Sequence, residues 1–155
     1  VLAEGSDVLV VTAGITTEEA IRARAALDRA GVSVRHLHLN TLKPFDAAQI
    51  VDHAAAVKHG VVTLENHLVT GGLGSMVAEA MADAGLGRRL IRLGLQDTYA
   101  HGGARPYLMK YYGMDALSLV RAIEELTGQQ TGIDEDALGA VRVEAVHSAV
   151  KAEAL

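Results

Sequence analysis

Glu65 and His67 stand two residues apart, just after the apolar run Val61 to Leu64, in the stretch VVTLENHLVTGGLGS. The run reads as a buried strand that delivers Glu65, Asn66 and His67 to its carboxyl end, where open α/β sheets place ligands and partner surfaces. In an extended segment Glu65 and His67 face the same way, as an acid–base pair would. No third partner is identifiable, and a polar strand end serves structure equally well. Gly71, Gly72, Gly74 and Ser75 then open a helix whose free N–H groups suit an anion. The spacing is neither GxGxxG nor a phosphate loop ending in GKS or GKT. The alternative is that these glycines let helix and strand, or another subunit, come close.

Asp97, His101, Gly102 and Gly103 form a second polar loop after another strand. Tyr107, Tyr111 and Tyr112 follow at helical spacing, as packing or, at a seam, as hydroxyls for partner contacts. His36 and His38 share a strand face and mimic a metal pair. Without a carboxylate or third histidine they read as packed or partly exposed rings.

These residues need elements to hold them. Asp7 to Thr12 is a compact apolar run ending at Gly14, the pattern of a buried strand. Thr16 with Glu19 reads as a capping box, opening a helix with Ala20, Ala23, Leu27 and Ala30 inward and Gly31 as its stop. Val32 to Leu39 returns as a strand whose alternation does not separate apolar from polar, so both faces should be covered. Asp46 caps a helix running to about Lys58, with Gln49 at its third position and a Phe45–Ile50 staple. Gly60 leads into the third strand. The glycine-rich junction opens a helix carrying Val77, Ala80, Met81 and Ala84, closed by Gly85. Leu90 to Leu93 is a short fourth strand. Alternating strands and helices are the signature of a parallel α/β sheet with right-handed crossovers. After a polar loop over 96–103, Pro106 suits the first turn of a helix ending at Gly113. Asp115 caps another, with Leu119, Ile123 and Leu126 inward and Gly128 as its stop. Gln129 to Gly132 is a polar linker, and Asp134 starts a last helix with Leu138, Val141, Ala145 and Ala149 in register.

At 155 residues the chain fits one domain, able to bury roughly 68–70% of its unfolded surface. Phe45 and four tyrosines are its only Phe, Tyr or Trp residues, so Val, Leu, Ile and Ala must build the core. A net charge of −5 without a Lys/Arg cluster argues against nucleic acid. The lack of cysteine excludes disulfides, thiolate metal sites and cysteine nucleophiles. None of the histidines sits in an HExxH spacing. No apolar run approaches the ~20 residues that span a bilayer, and no signal peptide is visible, so the expectation is a cytoplasmic protein with no membrane partner. The chain begins at Val1 with a strand close behind, which suggests a piece of a longer protein.

In order along the chain stand Val10-Val11-Thr12-Ala13-Gly14, Thr41-Leu42-Lys43-Pro44-Phe45-Asp46, Glu65-Asn66-His67 with Gly71-Gly72-Leu73-Gly74-Ser75, Arg92-Leu93-Gly94-Leu95, and His101-Gly102-Gly103 to Tyr111-Tyr112-Gly113-Met114-Asp115. Together they resemble the C-terminal domain of the transketolase-like thiamine diphosphate enzymes over about residues 5 to 128. The wording is closest to transketolase, particularly the bacterial kind split into two polypeptides. Deoxyxylulose-phosphate synthase ranks second, and the β subunit of 2-oxo-acid dehydrogenases, a partner-docking module, third.

The resemblance implies a three-layer α/β/α domain over 1–128, with a mixed, mostly parallel sheet of about five strands. The first strand would be antiparallel and here reduced to Val1 to Ala3; 129–155 would be a linker and an extra C-terminal helix. It implies a parent that moves two-carbon ketol units between sugar phosphates as a homodimer. Thiamine diphosphate and Mg2+ would lie in other domains or another subunit of that enzyme, its partners here. No catalytic, cofactor or metal residue of the family carries over. Glu65, Asn66, His67, Gly71, Gly72, Gly74, Ser75, Asp97, His101, Gly102 and Gly103 remain as a candidate interface or anion site.

Overall fold

Val8 to Thr12 are all apolar or β-branched and all buried, and they form β1 (Val8–Thr12), an inner strand of the sheet. The computed structural model describes residues 1–141. Around β1 the chain alternates as its sequence pattern predicts: α1 (Thr16–Arg29), β2 (Val34–His38), α2 (Ala47–Ala55), β3 (Gly60–Leu68), α3 (Leu73–Asp83) and β4 (Leu90–Leu95). Three further helices follow, α4 (Arg105–Tyr111), α5 (Ala116–Thr127) and α6 (Glu135–Gly139).

The four strands are parallel, in the order β2-β1-β3-β4. An antiparallel strand before Asp7 is present only as one bridge, Ala3 to His36. The His36 N–H donates to the Ala3 carbonyl at 2.9 Å, and Leu2 N–H donates to the His36 carbonyl at 2.8 Å. Ser6 and Asp7 then bend the chain toward β1, so among the described residues the sheet has four strands rather than about five.

Alternation along the strands splits the core into two layers. Val8, Val10, Val62 and Leu64 pack with Ala20, Ala23 and Leu27 of α1 and with Leu119 and Ile123 of α5. Leu9, Val11, Leu37 and Val61 pack with Ile50 and Ala54 of α2 and with Leu73, Val77 and Met81 of α3. Covered on both faces, the strands need no polar side, which is why β2 does not alternate cleanly. Ile133, Leu138 and Val141 join the α1–α5 layer. The last helix thus packs within its first turns, but it ends at Gly139; Ala145 and Ala149 lie outside the described residues.

The caps divide into those that act locally and one that does not. Asp46 accepts from Gln49 N–H at 3.0 Å, Asp115 from Ser118 N–H at 3.1 Å and Asp134 from Ala137 N–H at 2.8 Å. Helix α2 stops at Ala55, short of Lys58, because Val57 turns inward and Lys58 N–H donates to the Ser6 carbonyl. The Thr16–Glu19 capping box does not form. Thr16 is buried, and its hydroxyl lies 2.9 Å from the Ala13 carbonyl and 2.8 Å from that of Leu64. Glu19 reaches instead to Ala116 N–H at 2.9 Å, 97 residues along the chain, and caps α5.

Both histidines of β2 are structural. His36 is fully buried, with Nε2 2.9 Å from Thr12 Oγ1 and Nδ1 without a partner. A chain of hydrogen bonds continues from Thr12 Oγ1 to Thr17 Oγ1 at 3.0 Å and on to His38 Nδ1 at 2.8 Å. Burial first, then the positive charges of Arg24, His38 and the chain amino group, push the His36 imidazole from 6.5 down to about 4. Between those values the unfolded chain binds a proton that the folded chain refuses, so stability rises with pH across that window. Urea denaturation should show a loss of about 2 kcal/mol between roughly pH 7 and pH 5. His36→Gln should flatten that slope; an unchanged slope would remove His36 as its cause.

Candidate functional site

The order β2-β1-β3-β4 makes the chain reverse direction between β1 and β3. In open sheets the crevice outside the strand ends at such a point is where ligands and partners bind. Here β3 outruns its neighbour. Its ladder with β1 ends at Thr12–Leu64, while the strand continues to Leu68 with a shifted register to β4. The sequence pattern ends the strand at Leu64; the β4 pairing, Leu68 with Leu95, carries it further.

Glu65 is 4% exposed, and its carboxylate sits at the start of α3. Oε2 accepts from Leu73 N–H at 2.7 Å and Oε1 from Gly74 N–H at 2.8 Å. Both oxygens therefore occupy the N–H groups an external anion would use, and the negative charge complements the positive end of the helix dipole. A side chain at Gly72 would overlap that carboxylate and the Leu68 carbonyl. A Cβ at Gly94 would lie 2.9 Å from the His67 carbonyl and 3.1 Å from Glu65 Cγ. Gly72 is thus held bare by the buried glutamate, whereas a Cβ at Gly74 would meet Arg92 Cδ and Thr63 Oγ1 at 2.8 Å.

The neighbouring residues finish the turn. Gly71, at φ +76°, donates its N–H to Ser75 Oγ at 2.9 Å, and the Ser75 hydroxyl donates to the Val69 carbonyl at 2.9 Å. His67 and Asn66 are exposed, so Glu65 and His67 do not act as a facing pair. His67 Nδ1–H donates to the Leu68 carbonyl at 3.0 Å. Glu65, Asn66, His67, Gly71 and Gly72 line one open cavity of about 410 Å3 together with Gly14, Leu42, Lys43 and Met76. Gly74 and Ser75 sit just inside the helix behind it.

Asp97, His101, Gly102 and Gly103 do not line this cavity; they lie on the exposed loop after β4. His101 is held by tyrosines. Tyr112 Oη lies 2.9 Å from its Nδ1 and accepts its backbone N–H at 3.1 Å, while the rings of Tyr107 and Tyr111 stand 5.8 and 5.0 Å away. The Tyr112 hydroxyl can then donate to Nδ1, which turns the histidine's Nε2–H outward. Tyr107 and Tyr111 themselves are more than half exposed.

Sequence reasoning missed Gly14, Leu42, Lys43 and Met76 as cavity walls, and the His36–Thr12–Thr17–His38 chain. A glycine two residues past the apolar run of β1, and two histidines at alternate positions of the next strand with His38 opposite Thr12, were the available signals. The glycine-rich helix start offers no free N–H pair to a diphosphate, because Glu65 occupies it, and among the described residues no group of three His, Cys, Asp or Glu could hold a metal ion.

Helices on both faces of a parallel sheet, with a carboxylate seated on the helix start beside the switch point, define an α/β/α domain. The family described as "Transketolase, C-terminal domain" matches residues 1–119, and the chain belongs to it. A Methanocaldococcus jannaschii protein named as a transketolase C-terminal section is 37% identical over 125 residues, covering 81% of this chain and 38% of its own length. 1-Deoxy-D-xylulose-5-phosphate synthase 1 of Geobacter sulfurreducens is 36% identical over 126 residues, covering 80% of this chain and 20% of its own. A solved split-gene transketolase, described as an inactive β4 tetramer, superposes with a TM-score of 0.75 at 35% identity, over 83% of this chain and 41% of that one. The chain therefore spans well under half the length of each.

Glu65→Ala leaves two buried N–H groups without acceptors and should cost about 3 kcal/mol in denaturant unfolding. Gly72→Ala should cost a similar amount in the native background and less beside Glu65→Ala. Strict additivity of the two would mean the glycine is not there for the glutamate.

Proposed function

We propose that this chain is the C-terminal assembly domain of a transketolase, of the kind split between two polypeptides. The parent transfers two-carbon ketol units between sugar phosphates. Thiamine diphosphate, which supplies the carbanion-stabilising chemistry when bound, is held with its metal by the partner domains or subunit. This domain's task is to bury apolar surface against them and against a second copy of the assembly.

The observation that carries the reading is where the exposed apolar side chains lie. Ile15 follows β1, Leu42 follows β2, Leu68 ends β3, and Tyr99, Tyr107 and Tyr111 follow β4. Arg105, at the start of α4, pairs with Glu18 in the first turn of α1 at 2.9 Å, which brings α4 to the same end of the sheet. An apolar end surface rimmed by polar loops is a partner surface. By contrast, the cavity beside it holds no pair of side chains placed for acid–base work.

The test is reconstitution. Residues 1–155 alone should give no ketol transfer from a ketose phosphate to an aldose phosphate, and the parent assembly should turn over. Replacing Tyr107 and Tyr111 by Glu should weaken assembly roughly a hundredfold, with turnover restored at high subunit concentration. Full turnover by a parent lacking residues 1–155 would overturn the proposal. Condensation of pyruvate with an aldose phosphate by the parent would instead point to the deoxyxylulose-phosphate synthase branch.

A further inference from the structure

We propose that the free edge of β3 at Asn66 and Leu68 receives an extended segment of the thiamine-binding partner, carrying an acidic side chain. The inference rests on the assembly reading above and locates one of its contacts. Pairing with β1 stops at Leu64, whose carbonyl already receives the Thr16 hydroxyl. Beyond it, the His67 carbonyl faces Gly94, and Val69 N–H donates to the Leu95 carbonyl at 2.9 Å, so these two residues spend their backbone groups on the β4 side. Strand alternation then turns the backbone of Asn66 and Leu68 to the opposite edge, past the end of β1. No residue of β1 is left there to pair with them.

Such an edge is a template for strand addition, provided the slot beside it has room and the right chemistry. The 410 Å3 cavity takes in Asn66 of this edge, with Leu42 and Met76 among its apolar lining and Gly14 bare beside the Asn66 amide. Lys43 also lines the cavity; it is exposed and makes no ion pair among the described residues. The Leu68 carbonyl is taken by His67, so the Leu68 N–H and the backbone groups of Asn66, which alternation turns to this edge, are the ones an incoming chain would pair with. Main-chain pairing supplies the fit, and the unmatched ammonium sets the charge: an acidic side chain, placed one residue from the pairing position.

Residue-resolved hydrogen exchange on the intact parent, assembled and then dissociated by dilution, tests this directly. The amides of Asn66 and Leu68 should exchange at least roughly tenfold more slowly in the assembly. Lys43→Glu should raise the assembly Kd roughly tenfold at low salt, with the difference shrinking in about 0.5 M NaCl. Lys43→Gln should fall between it and the native protein. An assembly that forms with unchanged Kd in both variants and leaves those amides unprotected places the partner elsewhere and overturns the strand-addition proposal, while the assembly reading survives. Absence of any assembly by the native protein overturns both.

Discussion

One buried carboxylate organises the carboxyl end of this domain. Glu65 leaves water to accept two N–H groups at the start of α3, and the helix dipole and those two short bonds offset its desolvation. Its neighbours follow from that placement. Gly72 is bare because the carboxylate lies where a side chain would be, and Gly94 is bare because the bend of β3 over β4 needs the room. The strand overrun, the register shift and the sharp turn at Gly71 are the path by which β3 brings Glu65 to that helix.

This arrangement explains why a motif that suggests chemistry turns out to be packing. Glycines before a helix indicate close approach but not what approaches. In a phosphate loop the guest is a ligand; here it is the domain's own side chain, eight residues upstream of the helix's first residue. What remains at the surface beside it is a cavity lined by Asn66, His67 and Lys43, and a group of tyrosines around His101.

Much of the fold was legible in the sequence because its signals are local. The apolar run of β1, the aspartate caps at Asp46, Asp115 and Asp134, and the left-handed glycine at Gly128 each act within a turn of where they stand. The misreadings share the opposite character. Glu19 matched a capping box three residues back, but its partner is Ala116; Thr16 was needed by Leu64. The end of β3 is set by β4, and the end of α2 by Ser6. The candidate site divides the same way. Its residue types were visible, but that Glu65 points inward and His67 outward depends on a bulge that no local pattern announces.

The bond from Glu19 to Ala116 also shapes how the chain acquires its structure. The first helix supplies a second acceptor at the start of the fifth, beside Asp115, and that bond forms only when segments 97 residues apart meet. Contacts of such separation slow folding, since loop closure precedes their reward. They also couple the two helices thermodynamically: loosening α1 withdraws one acceptor from the start of α5.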